Sequence, residues 1–79
     1  MLRLKIVSPE KIVFNGEVQS VTVPGTAGEF EILVDHAPII SSLEKGKVTY
    51  VTTEGPFSLS VRGGFVSVQK NEVNVCVEV

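Results

Sequence analysis

The last seven residues, 73–79, read "VNVCVEV" and place a valine at every second position. Side chains alternate between the two faces of a β-strand, so this period puts all four valines on one face. Asn74, Cys76 and Glu78 then share the opposite face. β-branched residues suit a pleated strand that is half buried. The segment therefore predicts a strand that packs its valines on a core.

The same period of two recurs along the chain, with turn signals between the apolar runs. The alternating apolar residues are Leu2, Leu4 and Ile6; Val21 and Val23; Phe57, Leu59 and Val61; and Val66 and Val68. The turn signals are Asn15-Gly16, Pro24-Gly25, Lys45-Gly46-Lys47, Glu54-Gly55-Pro56, Arg62-Gly63-Gly64 and Lys70-Asn71-Glu72. We interpret Gly63-Gly64 as a tight reversal between strands. Short strands separated by turns roughly every 8 to 12 residues predict an all-β sandwich or barrel.

Two features of this pattern need the structure. Residues 38–46, "PIISSLEKG", fit a single helical turn as well as a bent strand, and both alternatives stay open. The five aromatic residues, four Phe and one Tyr, are expected to occupy mostly inward-facing positions.

Length and composition restrict the class of protein. Seventy-nine residues form a single domain, 1–79, and 43% hydrophobic residues suffice for a packed core. The net charge of −2 argues against a nucleic-acid binder, which needs a basic stripe. The lone Cys76 excludes an internal disulfide and favours a reducing compartment. No apolar run approaches the roughly 20 residues of a membrane helix. We expect a soluble, cytoplasmic chain that reaches a membrane only through a partner.

The residues that could carry chemistry are few. His36 is the only histidine, and in an extended chain its neighbour Asp35 points to the opposite face. No Gly-x-Ser-x-Gly motif presents a nucleophilic serine. One His and one Cys forty residues apart are not metal-ligand spacing. Glu29, Glu31 and Asp35 lack the Gly-centred loop of a calcium site. The sequence predicts no catalytic residue, no metal and no cofactor.

The segment 28–48, "GEFEILVDHAPIISSLEKGKV", is the unusual surface of this chain. Apolar anchors rimmed by charge are typical of a protein–protein contact. The charged and polar residues are Glu29, Glu31, Asp35 and His36, and the apolar ones are Phe30, Leu33, Pro38 and Ile39. The segment predicts a docking site and not an active site.

The order of motifs resembles a known family. Residues 7–48 contain a Phe-x-Gly turn at Phe14-Asn15-Gly16, a "PGTAGEFEIL" segment from Pro24 to Leu33, and His36-Ala37-Pro38. Residues 61–78, "VRGGFVSVQKNEVNVCVE", add a Gly-Gly strand, a polar turn and a valine-rich strand. Over residues 4–78 the chain is similar to the N-terminal part of the epsilon subunit of F-type ATP synthase.

That resemblance implies a fold and a function. The fold is a two-sheet β-sandwich of about ten short strands without catalytic activity. The function is that of a central-stalk subunit, which docks the gamma subunit onto the c-ring and couples proton-driven rotation to ATP synthesis. The location is peripheral, on the cytoplasmic side of the bacterial inner membrane. The alternative is a stand-alone β-sandwich adaptor that binds some other protein.

The resemblance also implies roles for individual residues. Glu29 corresponds to the family acid that faces basic side chains of the c-ring loops, and Phe30 and Glu31 lie beside it. Ser8 and His36 correspond to positions that contact the gamma subunit. A charge pair at the rim of such a contact contributes about 0–1 kcal/mol and mainly fixes orientation.

Two departures from the family pattern stand out. Val34-Asp35 replaces the usual Pro-Gly before the histidine, which changes the turn and adds a negative charge. The family also continues into a pair of C-terminal helices that restrain ATP hydrolysis, where this chain ends at Val79. We expect a naturally short subunit that cannot restrain hydrolysis in this way, with a shortened sequence as the alternative.

Overall fold

A computed structural model describes residues 1–79 and contains nine β-strands and no helix. The strands are β1 (Leu2–Val7), β2 (Ile12–Val18), β3 (Ser20–Gly25), β4 (Gly28–Ile32), β5 (Ile39–Leu43), β6 (Gly46–Thr52), β7 (Gly55–Val61), β8 (Gly63–Gln69) and β9 (Glu72–Glu78). The ambiguous segment forms β5, because its backbone pairs with β8 along five residues. The all-β prediction is confirmed, with nine strands where about ten were expected.

The strands form one continuous hydrogen-bonded sheet in the order β2-β1-β9-β8-β5-β3-β6-β7, with β4 on the other side of β3. The sheet curls over itself into two layers, β2-β1-β9-β8-β5 (layer 1) and β4-β3-β6-β7 (layer 2). The pair Gly25–Leu43 links the layers through β3 and β5. β1 and β9 run parallel, whereas the other paired strands run antiparallel. This curled sheet is the sandwich that the sequence predicts.

The core lies between the two layers and is purely apolar. No polar or charged residue is buried. Each buried Val, Leu or Ile side chain contributes about 1.5–3 kcal/mol. The buried hydrophobic residues are Leu2, Leu4, Ile6, Val18, Val21, Val23, Ile32, Leu43, Val48, Val61, Val66, Val68, Val73, Val75 and Val77. The alternation in the sequence therefore predicts the inner faces of β1, β8 and β9, except that Val79 is exposed because β9 ends at Glu78.

Away from the β3–β5 link, aromatic side chains close the sandwich. The rings of Phe14 on β2 and Tyr50 on β6 lie 4.5 Å apart, and Phe57 on β7 stacks on Tyr50 at 5.8 Å. The expectation that the aromatics face inward is wrong for Phe65, which lies on the outer face of β8 and is 50% exposed. Phe57 points to the core side of β7 beside Tyr50, but it is 44% exposed because no neighbouring strand covers this edge.

Two of the turn predictions are wrong for a topological reason. Asn15-Gly16 lies inside β2, where it pairs with β1. Gly63-Gly64 is not a tight reversal, because β7 and β8 belong to different layers and Arg62 crosses between them. By contrast, Lys70-Asn71 forms the predicted tight turn between β8 and β9, with φ angles of 51° and 62° that suit a type I′ hairpin.

Candidate functional site

The outer face of layer 1 carries a row of apolar side chains. Phe65, Cys76, Val7 and Ile12 are cross-strand neighbours on β8, β9, β1 and β2, and we call them the apolar row. Phe65 is 50% exposed and Ile12 56% exposed. Ile40, on the same face of β5, is 79% exposed. This face therefore presents more apolar surface than a sheet turned towards water requires.

The apolar row borders an open groove of about 440 Å³. Its lining includes Val7, Ser8 and Pro9 at the end of β1, and Phe65 and Cys76 across the sheet. The Ser8 hydroxyl donates to the Lys11 carbonyl oxygen at 3.3 Å, and the Ser8 N–H donates to the same oxygen at 2.9 Å. These bonds fix the loop 8–11, of which Ser8 and Pro9 line the groove.

The outer face of layer 2 is polar by comparison. Glu31, Thr22, Thr49 and Ser58 are cross-strand neighbours on β4, β3, β6 and β7. Hydroxyl groups on a sheet face remain well hydrated without a partner. The two outer faces are therefore chemically different, and layer 1 is the face suited to an apolar contact.

The structure separates the three residues predicted to contact the c-ring. Glu29 and Glu31 are exposed and, two residues apart on β4, lie on the same side of the strand. Phe30 points to the other side, is half-buried and packs against the core. β4 pairs only with β3, so its other edge is free. Carboxylates at such an edge also prevent pairing with strands of other molecules, a structural role that needs no binding partner.

His36 lies in the connection 33–38, which crosses from layer 2 to layer 1. Its Nδ1 lies 2.7 Å from the Ala37 carbonyl oxygen, so Nδ1 donates in that contact. Its ring centre lies 6.4 Å from that of Phe30. The neighbouring Asp35 carboxylate accepts a hydrogen bond from Asn71 instead. The two side chains that suggested an acid–base pair are therefore engaged with different partners, and no group of His, Cys, Asp or Glu is placed to hold a metal ion.

Ser8 and His36 lie at opposite ends of layer 1. The register sets Ile39, at the start of β5, level with Leu4 on β1. β1 and β5 run in the same direction, so His36 precedes that level whereas Ser8 lies four residues beyond it, or roughly 13 Å. A single partner that contacts both residues must therefore extend along layer 1.

The sequence analysis missed the apolar row, although one signal was present. In "GFVSVQ", residues 64–69, the buried Val66 and Val68 place Phe65 on the outer face together with Ser67. An aromatic residue at an outward position is informative in itself. Ile12 could not be found in this way, because the pairing of β1 with β2 shifts register between Ile6 and Val7.

Comparison with known proteins identifies the family. The family model for the ATP synthase, Delta/Epsilon chain, beta-sandwich domain matches residues 1–79. This chain belongs to that family. The ATP synthase epsilon chain of Leptospira borgpetersenii is 40% identical over 77 residues, which cover 98% of this chain and 61% of that protein. The epsilon chain of Synechocystis is 37% identical over 76 residues, covering 96% and 56%. The chain thus spans about three fifths of the length of these epsilon-chain relatives.

Solved structures agree on the fold. A chain of the Euglena gracilis mitochondrial ATP synthase, solved with F1 and the c-ring, superposes with a TM-score of 0.89 at 20% identity, covering 96% of this chain and 49% of that one. A chain of the Tetrahymena thermophila central stalk and c-ring superposes at 0.83 with 15% identity, covering 99% and 63%. The resemblance to the epsilon family is confirmed, and so is its sandwich fold. No helix here has the length and apolar character to cross a membrane.

Proposed function

We propose that this chain is a non-catalytic rotor subunit of an F-type ATP synthase. It docks the gamma subunit onto the c-ring, so that proton-driven rotation reaches the catalytic head and drives ATP synthesis. The observation that carries the proposal is the family match over the whole chain. In this role the chain is peripheral to the membrane, on the cytoplasmic side of a bacterial inner membrane, and is held there only through the complex.

The gamma subunit is the partner for the outer face of layer 1. Ser8 and His36, the two residues assigned to gamma, lie at opposite ends of this layer, and Ser8 lines the groove beside Phe65. Half-exposed aromatic side chains are common anchors of protein–protein contacts. The removal of this apolar surface from water stabilises the contact, while the polar residues at its ends orient it.

The c-ring loops are the partner for the edge strand β4. Glu29 and Glu31 present two carboxylates on one exposed side of the strand, which suits basic side chains on the ring. Phe30 supports this edge from the core side, where its ring packs near His36. The carboxylates therefore make the direct contact, and Phe30 holds the strand that carries them.

The fold suits the transmission of torque. The core contains no buried polar group that would need rearrangement under load. Backbone hydrogen bonds connect all nine strands into one sheet, and the Phe14–Tyr50 contact closes the opposite side. A close-packed block of this kind deforms little, which is what a coupling between a shaft and a ring requires.

Binding to the gamma subunit tests the proposal. The purified chain is expected to form a one-to-one complex with the gamma subunit of the same ATP synthase, measured by analytical ultracentrifugation. The complex is then expected to bind detergent-solubilised c-ring. A chain that binds neither, but recovers an unrelated protein, would instead be an adaptor module.

Reversal of the charge on β4 is expected to weaken the contact with the c-ring. Glu29→Lys in the gamma complex should reduce c-ring affinity by about three- to tenfold, because a rim pair contributes about 0–1 kcal/mol and reversal adds repulsion. The wild-type affinity should fall with added salt. Glu54→Lys is the matched control, since Glu54 is an exposed glutamate of layer 2 in the β6–β7 turn. Equal losses for both variants would show that only net charge matters.

A further inference from the structure

Asp35 and Asn71 form a reciprocal pair of hydrogen bonds, although they lie 36 residues apart in the chain. The Asp35 N–H donates to Asn71 Oδ1 at 2.6 Å, and Asn71 Nδ2 donates to Asp35 Oδ1 at 3.1 Å. We call this pair the Asp35–Asn71 clasp. It joins the connection 33–38 to the turn between β8 and β9.

The backbone on both sides of the clasp is unusual. Asp35 has a φ of 65° and Asn71 a φ of 62°, both in the left-handed region that non-glycine residues rarely adopt. Asp and Asn tolerate this region better than most residues, because their short side chains hydrogen-bond locally. Such a conformation persists when the surroundings determine it. At Asp35 the observed partner that does so is Asn71.

The two sides of the clasp differ in how firmly the sheet holds them. The Asn71 carbonyl oxygen accepts the Arg3 N–H at 2.8 Å, and the flanking Gln69 and Glu72 pair across the hairpin. The connection 33–38 belongs to no strand, and its own backbone bond is His36 N–H to the Leu33 carbonyl oxygen at 3.1 Å. Asn71 is therefore the anchored side, and the segment that carries His36 is the side being held.

We infer that Asn71 is a positioning residue, which holds His36 in the geometry where the gamma subunit meets it. This inference rests on the proposed function, since it concerns the gamma-facing end of layer 1. It assigns a task to Asp35, whose carboxylate accepts the bond from Asn71. A glycine can adopt the left-handed conformation by itself, but it has no carboxylate with which to accept a bond from Asn71. The clasp thus orders a connection that a glycine would leave freer.

Amide exchange in the isolated chain tests the clasp without any partner. In Asn71→Gly the turn keeps its positive φ, but the side-chain amide is lost. The Asp35 N–H is expected to exchange about three- to tenfold faster, as the loss of one modest hydrogen bond implies. Lys70→Gly is the matched control, since Lys70 has a φ of 51° in the same turn and takes no part in the clasp. Equal acceleration in both variants would overturn the inference.

Swapping the side chains of residues 35 and 71 distinguishes a positioning role of Asn71 from an effect on overall stability. Asn71→Asp alone places two carboxylates together and should accelerate exchange of the residue-35 amide. Adding Asp35→Asn removes the repulsion and supplies a side-chain donor at 35, while the carboxylate at 71 accepts, so protection should return to within about twofold of wild type. A double variant that stays as fast as Asn71→Asp would contradict the reciprocal pairing.

The gamma subunit supplies the functional readout. Asn71→Gly should weaken gamma binding by about three- to tenfold and Lys70→Gly by less than twofold. The double variant, Asn71→Asp with Asp35→Asn, should bind gamma with wild-type affinity. If the wild-type chain does not bind gamma, the proposed function fails, while the amide-exchange result for the clasp still stands. If wild type binds and Asn71→Gly binds equally well, the positioning role is wrong although the proposed function survives.

Discussion

Gly64→Ala is expected to lower the free energy of unfolding by about 3 kcal/mol or more, a large share of the stability of a small domain. Gly64 has a φ of 149°, a conformation that L side chains rarely adopt and that costs about 1–3 kcal/mol. A Cβ here would also overlap the Cys76 carbonyl oxygen and lie 2.9 Å from Val77 Cα. These are backbone atoms of β9, which is paired on both sides and cannot move away.

Alanine substitutions at two other glycines distinguish the cost of the backbone conformation from the cost of the overlap with β9. Gly55 has a φ of 120° but no atom within 4 Å of a Cβ, so Gly55→Ala should cost only the conformational strain. At Gly63 the nearest atom is the Leu43 carbonyl oxygen at 3.4 Å, and Gly63→Ala should cost about 1 kcal/mol or less. Urea unfolding followed by circular dichroism measures all three. A Gly64→Ala variant as stable as Gly55→Ala would contradict the prediction, because it would show that the β9 backbone moves to accommodate the Cβ. A Gly64→Ala variant without a cooperative unfolding transition would agree with the expected loss of stability.

Phe65→Ala is expected to weaken gamma binding by about thirtyfold or more, equivalent to about 2 kcal/mol, because it removes the largest side chain of the apolar row. Its ring lies on the outer face of β8, so the free energy of unfolding should change by about 0.5 kcal/mol or less. Calorimetric titration with the gamma subunit measures the first quantity and urea unfolding the second.

Phe57→Ala is the matched control, because Phe57 is similarly exposed but stacks on Tyr50 at the closing side of the sandwich. It should lose about 1–2 kcal/mol of stability, for the aromatic pair and the buried part of the ring, and bind gamma within about twofold of wild type. If both variants lose stability and neither loses affinity, gamma does not contact the apolar row.

Part of the candidate site could be predicted from the sequence. The charges of Glu29 and Glu31 and the position of His36 could be recognised from spacing and from family resemblance. The alternation in residues 29–32 also places Phe30 opposite Glu29 and Glu31, but it does not show that β4 is an edge strand that pairs only with β3. Phe65 could have been found from its outward position beside Val66. Its neighbour Ile12 could not, because it joins the row only through a register shift between β1 and β2.

The amino-acid sequence alone determined that this protein is built of strands with apolar inner faces. Apolar residues at every second position share one face only when the backbone is extended. "VNVCVEV" and the valines of β8 establish that without reference to any neighbour. Only the tertiary structure decided which strands pair. Gly63-Gly64 serves a crossing between layers and not a reversal, and Asp35 meets Asn71 across 36 residues. Such contacts depend on the path of the whole chain, and local alternation carries no information about partners that are distant in sequence.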